Sequence, residues 1–232
     1  MSKQERQQTL DFASVIASAV HDMKNSLTLL LDTLDDTAGE PGIAGKPLQE
    51  KLLQAQHEGK RLNRNLIQLL ALYRMERAQM FVNISENYVA ELLEDVAMDN
   101  RQLLSARNIK LEIDCPEDLV GYFDRELVTG ILNTIINNSY RYTRDTIRLS
   151  GENREGYLGI HVEDNGPGYP EKMLHASGST GSGVNFQTGS TGLGLYFAAQ
   201  VAQMHRNGKR HGHTQTDNKG IDGGGRFSLY LP

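Results

Sequence analysis

Between residues 48 and 73, apolar or small residues recur at alternating steps of four and three: Leu48, Leu52, Ala55, Gly59, Leu62, Leu66, Leu69 and Tyr73. This is a heptad seam, the pattern of a helix that buries one narrow stripe against another helix. A helix over about 47–79 therefore needs a partner, and the chain supplies one upstream. Ile16, Ala19, Met23, Leu27, Leu30 and Leu34 fall at steps of three and four, which predicts a first amphipathic helix over about 8–37. Gly39, Pro41, Gly42, Gly45 and Pro47 make the turn between them. One hairpin buries two such stripes poorly, whereas two hairpins related by a two-fold axis make a four-helix bundle. Residues 1–79 are thus expected to be a helical hairpin that forms a homodimer. On the first helix His21 lies roughly 160° from Met23, on the face opposite the stripe. Asp22 is beside it and Asn25 one turn further along the same outward face.

From residue 80 the pattern becomes an α/β alternation. Residues 81–84 read as a short strand and 88–105 as a helix. Residues 109–113 and 119–123 alternate as strands. Asp124 is placed to cap a helix over about 125–140. Residues 146–150 and 158–162 read as a strand hairpin. Residues 176–191 are dominated by Gly, Ser and Thr and cannot build a core, so a mobile loop is expected there. A helix opens at Gly192-Leu193-Gly194-Leu195 and runs to about 204. Residues 205–225 are polar, glycine-rich and partly basic, and 226–231 alternate as a closing strand. Residues 80–232 are expected to form a two-layer α/β sandwich with a mixed sheet, so the fold class is α plus α/β.

The net charge of −5 over 232 residues argues against a general nucleic-acid binder. A single cysteine, Cys115, excludes an internal disulfide and suits a reducing, cytoplasmic compartment. The first ten residues lack the apolar stretch of a signal peptide. No apolar run reaches membrane-spanning length, so no membrane insertion is expected within this chain.

Three separated elements of the second half bear on chemistry. Asn138 lies on the helix over 125–140, with Arg141 and Tyr142 just beyond; an amide oxygen is a hard, neutral ligand suited to magnesium on phosphates. Asp164, Gly166 and Gly168 form Asp-x-Gly-x-Gly directly after a strand. There the glycines permit close backbone approach, and a carboxylate can accept from an adenine amino group. Gly189-Ser190-Thr191-Gly192-Leu193-Gly194-Leu195 is a glycine-rich helix start, where free amides favour phosphate. It fits neither a Walker A loop nor a dinucleotide fingerprint.

In this order, behind a histidine-bearing hairpin, these elements resemble the transmitter core of two-component sensor histidine kinases, over nearly the whole chain. His21-Asp22-Met23-Lys24-Asn25 resembles the H-box. Residues 134–143, with Asn138, resemble the N-box, residues 164–168 the G1 box and residues 189–195 the G2 box. Gly223-Gly224-Gly225-Arg226-Phe227 resembles the final glycine turn and strand. The chain departs from the family pattern at Thr134 (usually Asn), Arg141 (usually Lys), Ser26 (usually Pro) and Arg226 (often Thr). Only Phe186 offers itself as a phenylalanine box.

The resemblance implies a dimerisation and phosphotransfer hairpin followed by a Bergerat-type ATP-binding domain. It implies ATP and Mg2+ as cofactors, with Asn138 holding the metal, Asp164 reading adenine, Gly166, Gly168, Gly192 and Gly194 shaping the pocket, and Arg141 adding positive charge. His21 would accept the γ-phosphoryl group with Asp22 beside it, and then pass it to the receiver domain of a response regulator, since the chain ends at Pro232 without one. Asp22-x-x-Asn25 also resembles the family's phosphatase pattern. Two rival readings remain. An ATPase switch of the same superfamily would carry a glutamate at position 134, where this chain has Thr134. A catalytically silent dimeric scaffold would bind the same regulators without phosphorylating them.

Overall fold

The computed structural model describes residues 47–76, 80–174 and 193–232, together with Met23, Leu27, Thr28, Leu30, Leu31, Thr33, Leu34 and Thr37. The chain divides into two compact units, Met1–Met80 and Phe81–Pro232.

In the first unit, helix α1 (Pro47–Glu76) covers the heptad seam, and the described residues between 23 and 37 are helical as well. Gly59 is the seam's point of closest approach. A Cβ there would sit 2.7 Å from Leu31 Cδ2 and 3.8 Å from Leu27 Cδ1, and Leu31 is itself buried. Glycine is used here for space, because a methyl group would push the neighbouring leucine away. Further along the seam Leu62 and Leu69 remain about half exposed in the single chain, as does Met23 on the upstream stripe. His21, Asp22 and Asn25 lie outside the described residues.

The second unit runs β1 (Ser85–Tyr88), α2 (Val89–Ser105), β2 (Lys110–Asp114), β3 (Val120–Phe123), α3 (Arg125–Tyr142), β4 (Thr146–Arg154) and β5 (Tyr157–Asp164). It continues with the short helix α4 (Glu171–Leu174), α5 (Leu193–Met204), β6 (Arg206–Asn207), β7 (Arg210–His211), β8 (His213–Asp217) and β9 (Arg226–Leu231). The main sheet has the order β2-β4-β5-β9-β8. Its β2–β4 pair is parallel and the others antiparallel, so the sheet is mixed. β1 and β3 form a separate antiparallel pair.

The alternation of the strands explains the layers. Ile147 and Leu149 of β4, Ile160 and Val162 of β5, and Phe227 and Leu229 of β9 are buried. They pack with Leu92, Leu93 and Val96 of α2, Ile131, Leu132, Ile135 and Ile136 of α3, and Ala198 and Val201 of α5 in one apolar layer. Burying each large side chain of this kind contributes about 1.5–3 kcal/mol. The residues between them, on the other face, carry charge. Glu112, Arg148, Glu163, Arg226 and Asp217 are consecutive cross-strand partners across all five strands, and their signs alternate. Arg148 Nη2 lies 3.0 Å from Glu112, and Arg226 Nη2 2.7 Å from Asp217. Opposite charges directly across strands stabilise a sheet and keep that face wet.

Two expectations about strands change. Residues 81–84 belong to no strand; the strand is β1, four residues later. The Asn83 N–H is taken by Asp124 Oδ2 at 2.9 Å rather than by a strand partner. Buried Asn87, a poor strand former by type, holds β1 in place by donating to the Phe123 carbonyl at 3.0 Å. The polar stretch after α5 contains three strands, β6, β7 and β8, which the apolar pattern could not announce. β8 is an edge strand and only Thr214 and Thr216 of its side chains meet the inner face, opposite Leu229 and Phe227. The glycine- and serine-rich residues 176–191 lie outside the described residues.

Candidate functional site

The C-terminal ends of α3 and β5, the start of β9 and the first turn of α5 supply the residues singled out from the sequence. Asp164, the last residue of β5, is buried. Its Oδ1 accepts from the Gly166 N–H at 2.8 Å and the Gly225 N–H at 3.3 Å, and its Oδ2 from the Ser139 hydroxyl at 3.1 Å. A carboxylate has about four acceptor sites, so these three donors fix its plane and leave capacity on Oδ2. Its own N–H donates to the Gly225 carbonyl at 2.9 Å.

The glycines around it are there for backbone contact. A Cβ on Gly224 would overlap the Asp164 carbonyl oxygen, and one on Gly166 would lie 2.5 Å from the Tyr142 carbonyl. Gly168 has φ +80, a conformation few other residues adopt, and the next residue is clipped by Asn218. The Tyr169 N–H donates to Asn218 Oδ1 at 2.6 Å, and Asn218 Nδ2 donates to the Tyr169 carbonyl at 3.0 Å. Burial, with Asp164 nearby, pushes the Tyr169 phenol well above its ordinary range. It stays a neutral hydroxyl at any working pH.

Asn165 is a residue that sequence reasoning passed over. Its Oδ1 accepts from the Thr143 hydroxyl at 2.9 Å and from the N–H groups of Arg144, Asp145 and Thr146 at 3.1–3.2 Å. Its Nδ2 donates to Asp145 at 2.8 Å. A hydrogen bond from the Thr146 hydroxyl, together with that from Asn165 Nδ2, holds the exposed Asp145 carboxyl below its ordinary range. One buried amide thus folds the chain leaving α3 around the end of β5. Arg107 secures the same helix end from the other side, donating to the Tyr140 carbonyl at 2.6 Å with its guanidinium 5.0 Å from the Tyr140 ring centre.

Asn138 and Gly194 meet at the second part of the site. A Cβ on Gly194 would lie 2.6 Å from Thr134 Cγ2 and 3.7 Å from Asn138 Nδ2. The first turn of α5 therefore passes close over the face of α3 that carries Thr134 and Asn138. Helix α5 has 12 residues, and its free N–H groups and dipole favour an anion at this end. The Thr134 hydroxyl donates to the Gly130 carbonyl at 2.8 Å. Arg141 is exposed, and so is the Tyr142 side chain; only the Tyr142 carbonyl approaches the glycine turn. Arg226 points away from the site, into its ion pair with Asp217 on the outer sheet face. Gly192 and the H-box residues His21, Asp22, Lys24 and Asn25 lie outside the described residues. Among the described residues no cluster of three His, Cys, Asp or Glu side chains is placed to hold a metal.

At the far ends of the same two helices, buried His205 follows α5. Its Nδ1 lies 2.9 Å from the Val201 carbonyl, and its Nε2 accepts from the Asp124 N–H at 3.1 Å. Asp124 in turn caps α3 by accepting from the Leu127 N–H at 3.1 Å. The ring must be neutral to accept at Nε2, and burial lowers its pKa.

Ser139, Asn165 and Asn218 carry no sequence signal of their own, whereas Gly225 belongs to the glycine turn already singled out. Ser139 and Asn165 do stand next to residues that were singled out, Asn138 and Asp164.

Residues 123–232 match the family described as histidine kinase-, DNA gyrase B- and HSP90-like ATPase. The chain is 26% identical over 215 residues to the adaptive-response sensory kinase SasA of Crocosphaera subtropica, covering 88% of this chain and 56% of that protein. It thus spans about half the length of that relative. By fold it is similar to the Acinetobacter baumannii histidine kinase AdeS, with TM-score 0.59, 19% identity, and coverage of 89% of this chain and 95% of that one. It is also similar to full-length ShkA, solved in complex with AMPPNP, with TM-score 0.65, 16% identity, and coverage of 94% and 45%. Among the described residues no helix is long and apolar enough to cross a membrane.

Proposed function

We infer that the chain is the transmitter region of a sensor histidine kinase, and we propose that it phosphorylates its own His21 from ATP and passes the phosphoryl group to an aspartate of a response-regulator receiver domain. The observation that carries this reading is the pair of subsites described above. Asp164 is a carboxylate fixed by three donors with acceptor capacity left over, and Asn138 faces a helix start bared by Gly194.

Asp164 Oδ2 suits the exocyclic amine of adenine, a donor that guanine lacks at that position. Gly166, Gly168 and Gly192 shape the wall, and Arg141 adds charge for phosphate oxygens. The chemistry of the site suits a magnesium ion on the nucleotide: Asn138 carries a neutral amide oxygen, and without a side chain at Gly194 the first turn of α5 comes into contact with Thr134 and the Asn138 amide. Magnesium of this kind is held by one or two protein oxygens with phosphates and water, and neutralises charge on the β- and γ-phosphates. Residues 80–232 are the ATP-binding domain, and residues 1–79 the dimerising phosphotransfer hairpin. Support for the dimer comes from Leu62 and Leu69, which one chain leaves half exposed.

In the transfer, a lone pair of the neutral His21 imidazole forms a bond to the γ-phosphorus. The bond from that phosphorus to the β–γ bridging oxygen breaks, and ADP leaves with the electron pair. Asp22 accepts a hydrogen bond from the other ring nitrogen and takes up its proton as the phosphoramidate forms. In the second step a carboxylate oxygen of the regulator attacks the same phosphorus and His21 is regenerated. Asn25, one turn beyond His21, orients a water on the phosphorylated regulator and gives the chain a phosphatase activity. Asn25→Ala is expected to leave phosphorylation of His21 intact and to slow decay of the phospho-regulator in the presence of ADP. An unchanged decay, with regulator binding preserved, counts against this role.

The ATPase-switch alternative needs a base where Thr134 stands. Its hydroxyl is spent on the Gly130 carbonyl and cannot deprotonate water. Incubation with magnesium and γ-labelled ATP tests the proposal. The kinase retains label on the protein; a switch releases it as free phosphate; a silent scaffold does neither.

A further inference from the structure

The chain's entire net charge of −5 resides in the second unit, where 14 Lys and Arg stand against 19 Asp and Glu between residues 81 and 232. Yet from Lys172 to Thr216 there is no Asp or Glu at all. The described part of that stretch includes the β6–β7 hairpin, closed by the two-residue loop Gly208-Lys209 with Gly208 at φ +61, glycine at the first loop position being a mark of tight hairpins. Arg206, Lys209, Arg210 and His211 are all exposed on it. The two arginines are held in place. Arg210 Nη1 donates to the Gly156 carbonyl at 2.9 Å, with its guanidinium 5.7 Å from the Tyr157 ring centre. Arg206 Nε donates to the Gln203 carbonyl at 3.2 Å. Lys209, in the loop, has no partner among the described residues. The hairpin sits against the β4–β5 turn, at the opposite end of β5 from Asp164, so nucleotide chemistry has no use for it.

We propose that the β6–β7 hairpin is a docking surface for a protein partner that presents a segment rich in carboxylates. A guanidinium fork pairs with a carboxylate through two parallel hydrogen bonds. Both arginines keep donors free, because each commits one nitrogen to a backbone carbonyl. Holding them in advance reduces the ordering cost of binding. Extended polyanions fit less well. An anionic bilayer or a nucleic acid would bring a broad negative field against a unit that is itself negative. The hairpin also shows no aliphatic or aromatic side chain to insert into lipid. A short acidic segment engages the three cations locally, beside Glu155 of the β4–β5 turn, which lies 3.7 Å from Arg154.

The full chain can be titrated against a fluorescently labelled octaglutamate peptide, a single-stranded oligonucleotide, and vesicles of phosphatidylglycerol in phosphatidylcholine. The peptide is expected to bind more tightly than either of the others, with an affinity that falls as salt rises. It is expected to lose about tenfold or more in the triple variant Arg206→Gln, Lys209→Gln, Arg210→Gln. Because Arg210 also fastens the β4–β5 turn, Lys209→Gln alone serves as the second variant, with unchanged thermal unfolding as its control and a loss of severalfold expected. Failure of the peptide to bind, binding that survives both variants, or preference for the oligonucleotide or the vesicles overturns the proposal.

Discussion

Asp164 is oriented by three donors from three parts of the chain: the turn after β5, the start of β9 and the side chain of Ser139 on α3. Losing the carboxylate and losing one of its supports are therefore different lesions. Asp164→Ala is expected to weaken ATP-analogue binding about tenfold or more with or without magnesium, since a hydrogen bond to a charged group is worth about 1.5–3 kcal/mol. Ser139→Ala leaves the carboxylate but frees its plane, and a loss of about two- to tenfold is expected from one neutral-donor bond. Asn138→Ala is expected to cost most when magnesium is present. Calorimetry on the three variants, with and without metal, checks all of this; equal losses for Asn138→Ala in both conditions contradict a metal role. Asp164 stands out in the sequence as a carboxylate followed by alternating glycines after a strand, and the structure places it buried at the end of β5 with three donors on it. Asn165 does not stand out. Its five hydrogen bonds to the 143–146 turn depend on two segments some twenty residues apart coming together, and no local pattern encodes that.

At the scale of elements, α3 and α5 meet where Gly194 approaches Thr134 and Asn138, the proposed phosphate end of the site, and are fastened at their other ends by His205 and Asp124. Protonating His205 would replace its acceptor at Nε2 with a second N–H facing the Asp124 N–H. Burial lowers its folded pKa below the ordinary 6.5, so the unfolded chain binds the proton more readily. Its contribution to stability is then complete above about pH 6.5 and is lost as pH falls from there through the folded value. Buried His161, also lowered chiefly by burial, acts with the same sign. His205→Gln is expected to cost about 1–3 kcal/mol near neutrality and to flatten the fall in stability between about pH 7 and about pH 5. Urea unfolding across that range measures both, and parallel curves for the two proteins refute the linkage. Helices α2, α3 and α5 were readable from their buried faces, and the Asp124 cap from its position, whereas the one-turn helix α4 was not. β6, β7 and β8 were not, because an edge strand and a basic hairpin bury too little apolar surface to show a period. β1 was placed four residues early because Phe81 and Ile84 look like strand residues, yet both are exposed, and pairing starts only where Asn87 can reach the Phe123 carbonyl.

At the scale of the whole molecule, the proposal joins a nucleotide unit to a helical unit whose seam is incomplete in one chain. Replacing Leu62 and Leu69 together by Glu puts charge into the seam that a second hairpin would bury. Sedimentation is expected to show a shift from dimer to monomer, whereas nucleotide affinity, a property of the second unit, stays unchanged; a dimer that survives the double substitution contradicts the bundle. The seam was visible in the sequence as a strict heptad, and the structure places it on α1 with Leu62 and Leu69 about half exposed.

The central claim is that His21 takes the γ-phosphoryl group of ATP. The direct measurement is the chemical lability of label incorporated from γ-labelled ATP and magnesium, in the wild-type chain and in His21→Gln. The account predicts label that is lost in acid, survives base, and is absent from His21→Gln. Acid-stable label, or acid-labile label that persists in His21→Gln, contradicts it.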